Sequence, residues 1–185
     1  MTDPDALLQA AETVARVLER HQIETIVIGA VALAAHHYVR QTEDVDLGIN
    51  VPLAQLEQIA NSLRDEGFQV KINAADSDDP LGGVIDIRGS FGLIQVINFG
   101  ERFPAVIDDA LRASCLYVRE GSPLRLTPLP HLVALKLYAG GYKSKADIVE
   151  LLSRNPDLDL NAIRALCARY RLKDLEELIS EAGQK

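Results

Sequence analysis

The sequence lacks the features that mark secreted proteins and membrane proteins. It has only two cysteines, Cys115 and Cys167. Both lie in apolar periodic contexts, so we expect small core residues rather than a disulfide or a metal pair. No apolar run approaches the length of a membrane span, and the N-terminus has neither the basic nor the apolar part of a signal peptide. We therefore predict a cytoplasmic protein that makes no membrane contact.

Basic charge is also scarce, since 27 acidic residues outnumber 19 lysines and arginines and give a net charge of −8. This balance argues against broad, non-specific attraction to nucleic acid, although a local basic patch or a bound metal would still be compatible with it. The 185 residues are 48% apolar and 25% charged, an ordinary globular composition without internal repeats. Length and composition suit one domain, or one domain with a helical annex.

Hydrophobic periodicity predicts an α/β (α+β) chain in two parts. In residues 1–126, helices and strands would build a mixed sheet flanked by helices, and residues 127–185 would form a C-terminal helical subdomain. An acidic loop is expected at 73–80. The predicted helices cover 4–20, 30–37, 52–66, 104–111, 128–139, 144–153, 159–170 and 172–181, and the predicted strands cover 23–28, 43–49, 68–72, 84–88, 93–99, 115–118 and 124–126.

The most informative stretch is the acidic strand at 43–49. Residues two apart in a strand point to the same face, so Asp44 and Asp46 would project together while Val45, Leu47 and Ile49 enter the core. Two adjacent carboxylates repel each other, and a hard divalent cation such as Mg²⁺ would remove that conflict. The alternative is that both aspartates merely lie on a solvent-exposed face.

A second signal is Gly29, where the preceding strand becomes a short helix. A helix N-terminus offers unpaired N–H groups and a positive dipole end, and glycine lets a phosphate approach the backbone. The alternative is a glycine that serves only a tight turn. A phosphate-binding turn, a short helix and then two carboxylates on a neighbouring strand would hold a metal–triphosphate against an acceptor. Phosphoryl or nucleotidyl transfer requires such an arrangement.

The chain resembles the nucleotidyltransferase superfamily, whose fold is that of polymerase β. It looks most similar to the AbiEii-type nucleotidyltransferase-like proteins of toxin–antitoxin and phage-defence systems. A downstream helical segment at 132–152 adds to the likeness. The motif residues that carry the resemblance are Gly29, Ala30, Arg40, Thr42, Asp44, Val45, Asp46 and Leu47.

The resemblance implies transfer of a nucleoside monophosphate from an NTP to a hydroxyl of RNA, protein or a small molecule. Asp44 and Asp46 would bind Mg²⁺ or Mn²⁺, and a cognate toxin or antitoxin is an implied partner. Lys136 would reach the triphosphate, although a surface lysine that snorkels to solvent is the alternative. By this likeness the nucleotide-binding residues are Gly29, Ala30, Arg40, Thr42, Lys136 and Lys143.

Two departures from the family pattern concern the turn and the third carboxylate. Family members commonly have Gly-Gly or Gly-Ser where this chain has Gly29-Ala30. The third carboxylate is expected at 94–96, where Gln95 stands; an amide is a weaker Mg²⁺ ligand and cannot act as a base. Asp86 is the nearest substitute as third ligand or base, and a salt bridge to Arg88 is its alternative role. Without a third carboxylate the chain would be a nucleotide-binding or regulatory module with little turnover.

Overall fold

The computed structural model describes residues 3–74 and 81–183, and this part forms a six-stranded mixed sheet with helices on both faces. The predicted α/β fold with a C-terminal helical unit is therefore confirmed. None of the helices in the described ranges is long and apolar enough to cross a lipid bilayer. The strands are β1 (Ile26–Ile28), β2 (Asp44–Ile49), β3 (Gln69–Asn73), β4 (Val84–Gly89), β5 (Gly92–Asn98) and β6 (Arg125–Leu126). The helices are α1 (Pro4–Arg20), α2 (Gly29–Ala35), α3 (Leu56–Asp65, after a 3-10 turn at Leu53–Gln55), α4 (Pro104–Ala113), α5 (Leu129–Ala139), α6 (Gly141–Arg154), α7 (Leu160–Arg169) and α8 (Leu175–Glu181).

The strand order is β3-β4-β5-β2-β1-β6, so the acidic strand β2 lies near the middle of the sheet. It runs parallel to β5 and antiparallel to β1. The hairpin predicted around Gly89 is present as β4 and β5, and β3 pairs with its outer edge. β2 therefore has paired neighbours on both sides, which fixes the backbone from which its polar side chains project.

Each face of the sheet has its own hydrophobic core. On one face, Val45, Leu47 and Ile49 pack in a cluster with apolar residues of α1 and α3. On the opposite face, Ile26 and Ile28 share a cluster with residues of α2 and of α4 to α8. The helices after residue 126 thus pack directly on the sheet face that β2 presents with its polar side chains. The predicted division of the chain at residue 126 stays a prediction.

The segment after α4 differs from the prediction. Residues 115–118 were expected to form a strand, but there only Tyr117 forms an isolated bridge, to Arg125. Cys115 is exposed, so the core role predicted for it is wrong; it lies between the end of α4 and the start of β6, outside any helix or strand. Cys167 is buried as predicted, and burial raises the pKa of its thiol to about 11. The acidic loop predicted at 73–80 falls, for residues 75–80, outside the described part of the chain.

Candidate functional site

The strand β2 projects its two carboxylates from one face. Val45, Leu47 and Ile49 are at most 3% exposed on the opposite face, so the predicted alternation is confirmed. Asp44 and Asp46 are both partly buried. A purely solvent-facing pair would leave both carboxylates exposed, which is not the arrangement in the structure.

The surroundings of Asp46 disfavour its negative charge. Burial raises the pKa of this carboxyl from 3.8 to about 6, and the charge of Asp44 adds to the rise. The charges of Lys136, Arg40 and Lys143 act in the opposite direction without cancelling it. The carboxylates of Asp44 and Asp46 supply hard oxygen donors, and the nearby positive side chains do not balance their charge. Such a pair fits a divalent cation such as Mg²⁺.

Gly29 opens α2 directly against the carboxylate of Asp46. Its φ of +70° is in the region that favours glycine, and a Cβ placed on it would lie 1.9 Å from Asp46 Oδ2. The glycine therefore allows the backbone turn and the carboxylate to occupy neighbouring space. Ala30 follows it, 4% exposed, and brings no polar side-chain atom to the site.

Thr42 lies just before β2 and contacts the first carboxylate. Its hydroxyl donates a hydrogen bond to Asp44 Oδ1 and lies 3.4 Å from the backbone nitrogen of Asp44. The structure thus places Thr42 where it orients Asp44. Its predicted contact with a nucleotide stays a prediction.

Lys136 and Arg40 share one buried anion. Lys136 Nζ lies 2.7 Å from Asp147 Oδ2, and Arg40 Nε lies 3.8 Å from Asp147 Oδ1. The side chain of Asp147 is only 2% exposed and that of Lys136 is 15% exposed. Lys136 is therefore not the surface lysine of the alternative interpretation. The arrangement carries two cations against one carboxylate, so one net positive charge is held close to Asp46.

Lys143 is exposed near the start of α6 and acts on Asp46 through its charge only. Asp147 lies within the segment at 132–152 that adds to the resemblance, but the sequence did not reveal its pairing with Lys136 and Arg40. The available signal was the position of Asp147 on the same helix face as Leu151, one turn later, where a buried aspartate needs a cationic partner.

A cavity of about 170 Å³ opens beside Asp46, between the sheet and the helices α5 and α6. Its polar border consists of Gly29, Asp46, Lys136 and Ser144. The rest of its lining is apolar and comes from Ile28, Leu81, Ile97, Phe99, Leu132, Leu135 and Ala139. An apolar recess with charged groups at its edge suits a ligand that has both a flat apolar part and an anionic part.

Gln95 stands directly beside Asp46, and Asp86 stands one strand further away. Asp46 pairs with Gln95 across β2 and β5, and Gln95 pairs with Asp86 across β5 and β4. Neighbouring strands are about 4.8 Å apart, so two strand spacings, about 10 Å, separate the backbones of Asp46 and Asp86. Within the described residues, no three histidine, cysteine or acidic side chains form a group that could hold a metal. The structure therefore does not bring the predicted triad of Asp44, Asp46 and Asp86 together.

Asp86 instead takes part in a local polar network. Gln95 Nε2 donates to its Oδ1 at 2.7 Å, and Asn73 Nδ2 donates to its Oδ2 at 3.1 Å. Arg88 Nη2 lies 4.0 Å from the carboxylate, which matches the ion pair that was the alternative interpretation. Sequence reasoning did not foresee the two amide contacts, because strand pairing brings them together from distant positions.

Comparisons with known proteins support this fold but no closer relationship. No protein-family model and no curated protein matches the sequence. The antibiotic-resistance factor ANT(2'')-Ia is 16% identical, with a TM-score of 0.58 over 91% of this chain and 93% of that protein. An antigenic nucleotidyltransferase-like protein from Paracoccidioides brasiliensis is 18% identical, with a TM-score of 0.52 over 100% of this chain and 95% of that protein. The chain thus has the nucleotidyltransferase fold, and the AbiEii-type resemblance stays a prediction.

Proposed function

We propose that this protein is a metal-dependent nucleotidyltransferase that moves a nucleoside monophosphate from an NTP to an acceptor hydroxyl. The observation that carries the proposal is the carboxylate pair of Asp44 and Asp46. Both carboxylates are partly buried, the negative charge of Asp46 is disfavoured, and Asp46 borders a cavity that Lys136 also lines. The acceptor hydroxyl can belong to RNA, to a protein or to a small molecule.

Asp44 and Asp46 would hold Mg²⁺ or Mn²⁺. The chemistry supplied by the bound ion is charge neutralisation and alignment of the triphosphate with the acceptor. Thr42 keeps Asp44 in place through its hydroxyl, and Gly29 leaves room for the carboxylate of Asp46. These residues orient the two ligand oxygens before any substrate enters.

Lys136 and Arg40 would face the triphosphate. Because Asp147 neutralises only one of these two cations, one net positive charge would act on the phosphates. In the transfer, the acceptor oxygen bonds to the α-phosphorus while the bond from that phosphorus to the bridging oxygen breaks. Pyrophosphate leaves with the electron pair, and the hydroxyl proton passes to solvent. Positioning and charge stabilisation are the main contributions a protein makes to such a step.

A catalytically degenerate nucleotide-binding module, such as one component of a toxin–antitoxin pair, is the second candidate function. The observation that favours it is Gln95, an amide beside Asp46 at the position where a third carboxylate is expected. An amide cannot take up the acceptor proton, and loss of that proton to solvent without a general base would make turnover slow while the triphosphate could still bind.

An incubation with each α-labelled NTP, together with Mg²⁺ or Mn²⁺, separates these functions. The acceptors are total tRNA, the protein itself and a set of small hydroxyl compounds. The test variant is Asp44→Asn/Asp46→Asn. Its matched control is Asp65→Asn/Asp157→Asn, which removes two exposed carboxylates.

Label transfer by the wild type and the control, but not by the test variant, supports the enzyme. Absence of transfer, combined with NTP binding that only the test variant loses, refutes the enzyme and supports the binding module. If none of the proteins binds an NTP, both functions are refuted.

A further inference from the structure

Three polar side chains form a row across three strands on the face that carries the carboxylate pair. Asp46 on β2 pairs with Gln95 on β5, and Gln95 pairs with Asp86 on β4. Residues that pair directly across neighbouring strands project to the same face. Gln95 therefore lies between two carboxylates and is the nearest residue of the neighbouring strand to Asp46.

Asp86 fixes which way the amide of Gln95 points. An ionised carboxylate only accepts hydrogen bonds, and only the nitrogen end of an amide donates them. Gln95 Nε2 must therefore face Asp86, to which it donates at 2.7 Å. The other oxygen of Asp86 accepts from Asn73 Nδ2, and the residue is 9% exposed, so the carboxylate is held from both sides.

The carbonyl oxygen of Gln95 is consequently turned away from Asp86. The hydrogen bond that the Gln95 side chain makes to Asp86 uses Nε2 and leaves Oε1 out of that contact. The strand that carries Gln95, β5, lies about 4.8 Å from β2. This spacing is close enough for side-chain oxygens of Gln95 and Asp46 to contact one ion. Side-chain amide oxygens are hard ligands of the same kind as carboxylate oxygens, although neutral.

We propose that Gln95 Oε1 is the third protein ligand of the cation held by Asp44 and Asp46, and that Asp86 is a positioning residue that orients this oxygen. The proposal rests on the proposed function, since it assigns a further ligand to the same metal site. It also gives Asp86 a role in the site. Asp86 cannot be a direct ligand, because two strand spacings separate it from Asp46. The resulting site has two charged ligands and one neutral ligand.

Mn²⁺ binding to the full chain tests the proposal, measured by titration calorimetry and by the electron paramagnetic resonance of free Mn²⁺. Gln95→Leu removes the ligand oxygen, and Gln69→Leu, an exposed glutamine on the edge strand β3, is its matched control. We expect Gln95→Leu and Asp86→Asn each to weaken Mn²⁺ binding by about tenfold or more, as changes to ligands and their orienting partners generally do. The control should bind Mn²⁺ like the wild type.

An exchange variant, Gln95→Glu/Asp86→Asn, separates a ligand from a merely structural residue. It keeps one carboxylate and one amide in the network, and the amide at position 86 can donate to the carboxylate at position 95. The negative charge then lies beside Asp46, so we expect Mn²⁺ to bind about tenfold more tightly than to the wild type, because affinity rises with the charge of the ligands. Thermal unfolding without metal verifies that each variant folds.

Two results would overturn this proposal and leave the proposed function standing. One is Mn²⁺ binding by Gln95→Leu within twofold of the wild type, while Asp44→Asn/Asp46→Asn abolishes it. The other is an exchange variant that binds Mn²⁺ no more tightly than the wild type. If the wild type binds no Mn²⁺, the proposed function fails together with this inference.

Discussion

Replacing Asp46 with asparagine should make the metal-free protein more stable at neutral pH. Asp46 is charged at pH 7.5, where burial and the neighbouring charge of Asp44 both oppose that charge. Asparagine has nearly the same shape and fits the same space beside Gly29, but it carries no charge. The substitution therefore removes an unfavourable electrostatic contribution and leaves the packing of the strand unchanged.

The size of the effect follows from the pKa of Asp46, which rises from 3.8 to about 6 on folding. A tenfold change in proton affinity is worth about 1.4 kcal/mol, so the charged form costs the folded state about 3 kcal/mol. Between pH 3.8 and about 6 the folded state binds the proton more tightly than the unfolded state does. The stability of the wild type should consequently fall as the pH rises through this window, and the advantage of Asp46→Asn should grow from near zero at pH 4 to its full value above pH 7.

Urea unfolding at pH 4 and pH 7.5, with EDTA present, measures this difference. The matched control is Asp157→Asn, an exposed aspartate whose loss should change the free energy of unfolding by less than about 0.5 kcal/mol at either pH. A gain for Asp46→Asn of equal size at both pH values would refute the electrostatic reasoning. A loss of stability at pH 7.5 would refute it as well. Added Mg²⁺ should stabilise the wild type and leave the variant unchanged.

Two further substitutions test local contacts by urea unfolding. Gly29→Ala and Gly121→Ala place alanine at nearly the same φ, +70° and +72°, but only the first would put a Cβ 1.9 Å from Asp46 Oδ2, whereas the second meets nothing within 4 Å. Gly29→Ala should therefore destabilise the fold by about 1–3 kcal/mol more than its control, and equal losses would contradict the close contact. Tyr170→Phe removes a donor 2.5 Å from Asp109 Oδ2 and should cost about 1.5–3 kcal/mol, as for hydrogen bonds to charged groups. A loss below about 0.5 kcal/mol would show that this contact does not stabilise the fold.

The sequence predicted the elements that have strong local signals. The alternation in β2 and the proline at the start of α1 identified their elements to within one residue. The segment at 115–118 was predicted as a strand, and it does pair with the chain around β6: the backbone N–H of Val118 donates to the carbonyl of Leu124, and that of Leu126 donates to the carbonyl of Leu116. The pairing stops at the single bridge between Tyr117 and Arg125, so no continuous ladder forms. The start of α6 was predicted three residues late, because Gly140 and Gly141 both have positive φ and let α6 begin almost directly after α5.

The candidate site was predictable only where its residues are close in sequence. Asp44, Asp46 and Gly29 were identified because their spacing and the strand-to-helix change are local patterns. The relation of Asp86 to Gln95 depends on the register of two strand pairs, which no local pattern determines. The hairpin between β4 and β5 placed Asp86 near Gln95 along the chain, but which of the two residues lies beside Asp46 is decided by the pairing of β2 with β5.

The raised pKa of Asp46 and the close approach of Gly29 argue against the interpretation that the aspartates serve only as a solvent-exposed face. Exposed aspartates would keep an ordinary pKa and would need no glycine beside them, whereas Asp46 has a raised pKa and its carboxylate lies against Gly29 at a φ of +70°. Perturbed carboxyls cluster at functional sites, because binding or catalysis requires arrangements that folding alone disfavours. A single variant tests this reasoning. If Asp46→Asn is more stable than the wild type and also loses NTP binding, the charge of Asp46 opposes folding and serves the site; a stable variant that still binds NTP would leave that charge without a function there.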